Sequence, residues 1–242
     1  YDPAFNYETA VLIFDGLKKM YGEGETAIYY IMVGNENYAM AEMPEGSEEG
    51  IVKGMYRFRS RDVKNAKGRV QLFGSGAILN GVLKAQEILA DQYKVASDVW
   101  SVTSYTQLRR EADDVRQWNV QHPQEKPRVS YLEETLNGVE GPFISASDYV
   151  MALGEQLTPW VPGRYRVLGT DGMGRSETRE ALRRHFGVDA ESVTFAALSE
   201  LAEDGVFETK DLVRAQKSLG LDPEQPNACL LYTSDAADES SS

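Results

Sequence analysis

The sequence predicts an α/β fold whose sheet is parallel or mostly parallel and covered by helices. Three observations predict it. Short apolar runs of strand length alternate with longer amphipathic stretches of helical period. A tight Gly74-Ser75-Gly76 turn joins one such strand to one such helix. The whole is built on ordinary globular composition, with 42% hydrophobic residues and 10% aromatics in 242 residues.

Taken in order, Asp2-Pro3 reads as a helix start, because Asp accepts from free N–H groups and Pro suits the first helical position. Tyr7, Val11, Phe14 and Leu17 then share one helical face, and Gly22 and Gly24 end the helix. Ala27–Val33 is almost wholly apolar, as expected of a strand buried on both faces. Asn35–Gly54 is polar and rich in turn formers, with room for one turn of helix. Met55–Ser60 is a further candidate strand, and Arg61–Lys67 a basic turn. From Gly68 the alternation becomes regular. Strands are expected at Arg69–Phe73, Asp98–Thr103, Pro142–Ser145 and Tyr165–Gly169. Helices are expected from Ile78 to about Tyr93, near Tyr149–Leu157, and near 177–186, 190–204 and 209–218. Residues 105–136 read as helical or irregular, broken at His122-Pro123 and Lys126-Pro127. Strand, helix, strand makes a right-handed parallel crossover.

Charge narrows the partners. With 25 basic and 38 acidic side chains the formal charge is −13, which repels nucleic-acid backbones and anionic lipid. No apolar run approaches the roughly 20 residues that span a bilayer. The single cysteine, Cys229, allows no intrachain disulfide and no Cys/His zinc cluster. The sequence opens on Tyr1 rather than Met and runs straight into a helix, so it is expected to begin inside a longer protein. Its last stretch, 228–242, ends in a Ser run and resembles the adapter-derived artefacts found at the ends of assembled reads. It is read as a non-native tail.

Few residues gather into a chemical set. Gly74-Ser75-Gly76 sits where phosphate-binding glycines sit. However, Leu79 stands where a third glycine belongs and no Gly-Lys-Ser/Thr follows, so a plain tight turn is the better reading. Thr170–Ser176 is the densest cluster. Asp171 suits a hydroxyl or metal, and Arg175 a carboxylate or phosphate. Against this, Gly172 and Gly174 permit a sharp turn and Ser176 is placed to cap a helix. Asp171 and Arg175 are placed to brace the loop, or to sit at a subunit interface. The structural reading is favoured, since one acid and one base make no catalytic set. Asn35, Glu36, Asn37 and Tyr38 follow the apolar run and suit either a site mouth or a polar loop. His122 and His185 neighbour no nucleophile and read as surface residues.

A family resemblance rests on these same residues. Asn35–Tyr56, Val70–Leu79, Asp98–Leu108 and above all Tyr165–Val193 (YRVLGTDGMGRSETREALRRHFGVDAESV) resemble the homodimeric type of pyruvate dehydrogenase, the decarboxylating first component of its complex. The resemblance covers about Asp2 to Asn227. It implies a transketolase C-terminal-like domain over 68–227, preceded by the last helix and strand of a pyrimidine-binding middle domain (1–45) and a linker (46–67). It implies a parent that uses thiamine diphosphate and magnesium, takes pyruvate as substrate and acetylates the lipoyl group of the dihydrolipoyl acetyltransferase component. The parent would be a cytoplasmic homodimer in a multienzyme complex. The family's metal motif, cofactor-activating glutamate and active-site histidines match nothing in this sequence. No catalytic, cofactor-binding or metal residue is therefore assigned, and the chain alone is expected to be inactive and to bind no cofactor. Ala39 departs from a histidine in the family pattern. The alternatives are a transketolase-like enzyme, or a non-catalytic α/β binding or regulatory module.

Overall fold

The computed structural model describes residues 1–231; most of the tail read as non-native, 232–242, lies outside the described residues. The centre is a five-stranded sheet of order β1-β3-β2-β4-β5. Its strands are β1 (Tyr56–Arg61), β2 (Gly68–Gly74), β3 (Val95–Ser101), β4 (Phe143–Ala146) and β5 (Tyr165–Leu168). Strands β3, β2, β4 and β5 run parallel, and β1 pairs antiparallel with β3 along one edge. The mainly parallel sheet is the one expected. Its first strand comes from within 46–67.

Period-two alternation sends Val70 and Leu72 of β2 to one face of the sheet and Phe73 to the other. On the first face they meet α3 (Leu79–Ile88) and α8 (Ala190–Glu203), whose Leu79, Val82, Val193 and Leu198 are buried against them. On the second face Phe73, Trp100 and Phe143 pack under α4 (Tyr105–Gln121) and α5 (Tyr131–Thr135), through Leu108 and Leu132. Each such side chain contributes about 1.5–3 kcal/mol when fully buried. Gln71 is polar yet buried. Its amide donates to Asp98 Oδ2 (3.1 Å) and Glu140 O (2.8 Å), and its carbonyl accepts from Trp100 Nε1 (2.8 Å). Helices α6 (Met151–Glu155), α7 (Arg179–Phe186) and α9 (Thr209–Ser218) complete the cover. Among the described residues no helix is long and apolar enough to cross a membrane.

The N-terminal segment departs from expectation in three ways. First, α1 spans Asn6–Leu17, so Asp2-Pro3 does not start it; Glu8 reaches back to the N–H groups of Ala4 and Phe5 instead. Second, the buried edge of α1 is Glu8, Leu12 and Gly16, while Phe14 is 72% exposed and Leu17 49%. Tyr7 and Val11 do pack, against Leu12, Ile51 of α2 (Glu48–Lys53) and Tyr56. Helical period identified residues that share a face, but docking chose the edge that brings Glu8 to its donors. Third, Ala27–Val33 forms no strand, and Ile28 is 95% exposed. A strand needs neighbours for its N–H and C=O groups. Among the described residues only Tyr1 pairs with the backbone of the run, its amine donating to Tyr30 O (2.7 Å) and its carbonyl accepting from Met32 N (2.9 Å).

Candidate functional site

Strand order reverses direction at β2 and β4. The chain leaves β2 toward α3 on one face and leaves β4 toward α6 on the other, which opens a crevice at the carboxyl ends of the strands. A cavity of about 410 Å³ lies there, walled by Ala77 after β2, Asp148 after β4, and Thr170, Gly172, Gly174 and Arg175 after β5. Its walls also include Gly34–Glu36, the α7 arginines Arg179 and Arg183, and the apolar side chains of Leu182, Phe186 and Val188. The fold therefore joins the two loops that the sequence singled out separately.

The loops after β4 and β5 are tied together. Thr170 N donates to Tyr149 O (2.8 Å) and Thr170 Oγ1 to Asp148 O (2.7 Å). Asp171 does not pair with Arg175. Its Oδ2 accepts from Met151 N (2.8 Å) and so supplies a cap to α6, which has no capping side chain of its own. Gly172 has φ +109°, a backbone conformation that is strained for any residue with a side chain, so this position favours glycine. Gly174 has open space around it. Arg175 is exposed at the cavity and makes no hydrogen bond or ion pair among the described residues. Ser176 is not the cap of α7. Thr178 is, its hydroxyl accepting from Ala181 N (3.3 Å), because the loop runs two residues further before turning into helix.

The loop after the apolar run divides as well. Glu36 takes both terminal nitrogens of Arg183 in a fork, one at 3.1 Å, which holds its carboxyl below the usual range and raises the guanidinium. Asn35 Oδ1 accepts from Arg179 Nη2, and Arg179 Nε stands 3.8 Å from Glu36. Asn37 lines the adjoining depression with Asn80 and Lys84. Tyr38 turns away, donating to Ala4 O (2.5 Å), and packs on the core. Asp148 makes no hydrogen bond through its carboxylate to any described residue. Removal from water pushes it up, an effect that nearby Arg183 opposes. The arginines at 179 and 183, and Asp148, were not singled out in the sequence. The four-residue spacing of Arg179 and Arg183, which puts both on one face of α7, is the signal that marks the arginines; nothing local marks Asp148.

Neither histidine lines the cavity. His122 stacks on Trp118 at 4.3 Å, and His185 sits edge-on to Phe186. The Gly74-Ser75-Gly76 turn is filled from within the chain. Gly76 N donates to Asp2 O (3.1 Å), and a Cβ on Gly76 (φ +49°) would lie 2.6 Å from both Asp2 carboxylate oxygens. Burial there pushes the Asp2 carboxyl up to about 6. The turn thus has no room for a diphosphate. Among the described residues no group of three or more His, Cys, Asp or Glu is placed to hold a metal ion. These residues do not fit thiamine diphosphate with its magnesium.

A second polar cluster was missed in the sequence altogether. Glu8 is fully buried, and its Oε1 accepts from Tyr56 OH (2.7 Å) and Ser101 Oγ (2.6 Å). Tyr56 spends its proton on Glu8, so Tyr7 donates to Tyr56 (2.5 Å). Burial raises the Glu8 carboxyl, and these donors hold it back. The cluster fastens α1 to the sheet.

Comparison with known proteins agrees with this architecture. Residues 54–189 match the transketolase-like C-terminal domain family, and residues 1–41 match the middle domain of the pyruvate dehydrogenase E1 component. The pyruvate dehydrogenase E1 component of Cupriavidus necator is 50% identical over 228 residues, which are 94% of this chain and 25% of that protein. Its counterpart in Escherichia coli (strain K12) is 49% identical over 229 residues, again 94% and 25%. The chain spans about a quarter of the length of these curated relatives. A Pichia stipitis transketolase solved with sedoheptulose-7-phosphate superposes with a TM-score of 0.54 at 16% identity, over 85% of this chain and 25% of that one. At that identity the likeness is one of fold alone. A middle-domain segment followed by a transketolase-like C-terminal domain, at about half identity to named relatives, places this chain in the pyruvate dehydrogenase E1 component family.

Proposed function

We propose that this chain is the C-terminal part of a pyruvate dehydrogenase that decarboxylates pyruvate on thiamine diphosphate and acetylates the lipoyl group of a dihydrolipoyl acetyltransferase component. The observation that carries the reading is the order of the two family matches within one chain, 1–41 and then 54–189. The parent is a cytoplasmic homodimer that binds magnesium with the cofactor, and the cofactor supplies the electron sink for decarboxylation. This chain contributes scaffold rather than chemistry: 1–45 closes the middle domain and 68–227 forms the C-terminal domain. Asp171 and Gly172 brace the loop after β5, which suits a structural or subunit-interface role, with Arg175 and Gly174 at its open end. Asn35 and Glu36 form the mouth of the crevice.

The chain alone is inactive. Assayed with pyruvate, thiamine diphosphate, magnesium and a dye acceptor, it is expected to give no turnover above a no-protein control. The same sequence joined to the upstream three quarters of a relative is expected to turn over. Activity of the chain by itself, or a folded but inactive full-length fusion, overturns the reading.

A further inference from the structure

We propose that the crevice at the carboxyl ends of β2, β4 and β5 binds a small anion carrying a phosphate or carboxylate group, held by Arg175 together with Arg179. Such binding does not depend on the catalytic assignment of the parent.

Position is the first support. The cavity lies where the strand order reverses, the place at which open α/β sheets receive ligands. Its volume of about 410 Å³ is in the range of small-molecule sites. Charge is the second. The chain carries −13 overall, yet Arg175, Arg179, Arg183 and Arg184 fall within ten consecutive residues, and the first three line this cavity. Their charges are unequally spent. Arg183 is neutralised by the fork to Glu36. Arg179 donates to the neutral amide of Asn35 and has only a 3.8 Å contact with Glu36. Arg175 has no hydrogen bond or ion pair among the described residues. Two guanidiniums therefore retain donors for an incoming anion, and planar forks suit phosphate and carboxylate.

Preorganisation is the third. Asn35 and Glu36 hold the α7 arginines from one side, and the Asp171 and Thr170 hydrogen bonds fix the root of the loop carrying Arg175 from the other. Asp148 bears on the ligand too. Its carboxylate lacks a hydrogen-bond partner among the described residues, so it repels a second anionic group and accepts from a hydroxyl. The charged head of the ligand belongs on the arginine side, and any hydroxyl on the β4 side.

The test is calorimetric titration of the whole chain with inorganic phosphate and, separately, with malonate, at ionic strength held constant by sodium chloride. Saturable binding of at least one probe is expected. Phosphate alone points to a phosphorylated ligand, and malonate alone to a carboxylate. Arg175→Gln is expected to weaken that binding about tenfold or more, and Arg179→Gln to weaken it less. Arg110→Gln, on the exposed side of α4, is expected to leave it unchanged. Circular dichroism checks that each variant folds; if Arg175→Gln does not, Arg179→Gln decides. No saturation by either probe, or equal binding by wild type and the deciding variant, overturns the proposal.

Discussion

Ala27–Val33 and Val70–Phe73 look alike as sequence, two short apolar runs of strand length, and they end in opposite places. Leu72 of β2 has no exposed surface, whereas Ile28 is 95% exposed. Strand β2 lies between β3 and β4 and is paired on both edges. The backbone of the other run pairs, among the described residues, with Tyr1 alone, and its contacts are otherwise side-chain ones such as Tyr29 to Asp15. Apolarity states what a segment would gain by burial. Whether it becomes a strand depends on partners that supply hydrogen bonds and a surface to cover it.

The strongest way to break this comparison is truncation in both runs. Leu72→Ala is expected to cost about 2–5 kcal/mol, while Ile28→Ala is expected to change stability by no more than about 0.5 kcal/mol. Urea unfolding followed by tryptophan fluorescence measures both. Equal losses would mean that residues 27–33 are buried in solution. The next effect concerns what holds α1 to the sheet. Glu8→Ala removes the acceptor for Tyr56, Ser101 and two backbone N–H groups. A loss of roughly 3 kcal/mol is expected from the donors left unsatisfied. Early tryptic cleavage at Lys18 and Lys19 should accompany it, with the module from Gly68 onward still protected. Cleavage within the sheet at the same rate would show that the two regions unfold together.

A smaller effect distinguishes the two regions by pH. The Asp2 carboxyl is raised from 3.8 to about 6 in the folded chain, so the folded state binds the proton more tightly than the unfolded state. Its contribution is most favourable at low pH and is lost as pH rises from about 4 to about 6. Asp2→Asn should remove that slope, leaving the variant more stable than wild type at pH 7 by about 1–2 kcal/mol after allowance for solvent screening. Melting temperatures of both proteins across that range measure it, and parallel curves would place Asp2 in solvent. The smallest effect belongs to the contact between the N-terminal segment and α7. Glu36→Gln breaks a part-exposed fork to Arg183 and should cost about 0–1 kcal/mol, fading in high salt. A salt-independent loss above that range would show a dry, tightly packed junction.

Much of the fold was legible. The runs in β2, β4 and β5 have the length and apolar content of short strands, and helix–strand alternation implies parallel crossovers. The site was legible only in halves. Asn35–Tyr38 and Thr170–Ser176 stood out as polar loops at strand ends, because turn formers beside charged groups are a local signal. Nothing local connects Glu36 to Arg183 across 147 residues. Nor does local sequence separate Tyr38, which serves the core, from Asn35, which serves the cavity.

The sequence by itself determined the α/β class, the strands β2, β4 and β5 nearly to the residue, and the family. Each of these rests on short-range periodicity or on residue identity in order. Tertiary structure decided that the apolar run 27–33 forms no strand and leaves Ile28 exposed, that α1 docks through Glu8 rather than Phe14, that Asp2 fills the glycine turn, and that Arg175 faces a cavity instead of Asp171. The physical reason is the same in each case. Periodicity names the residues that share a face, but only the shape and unsatisfied polar groups of the opposing surface determine which face is covered.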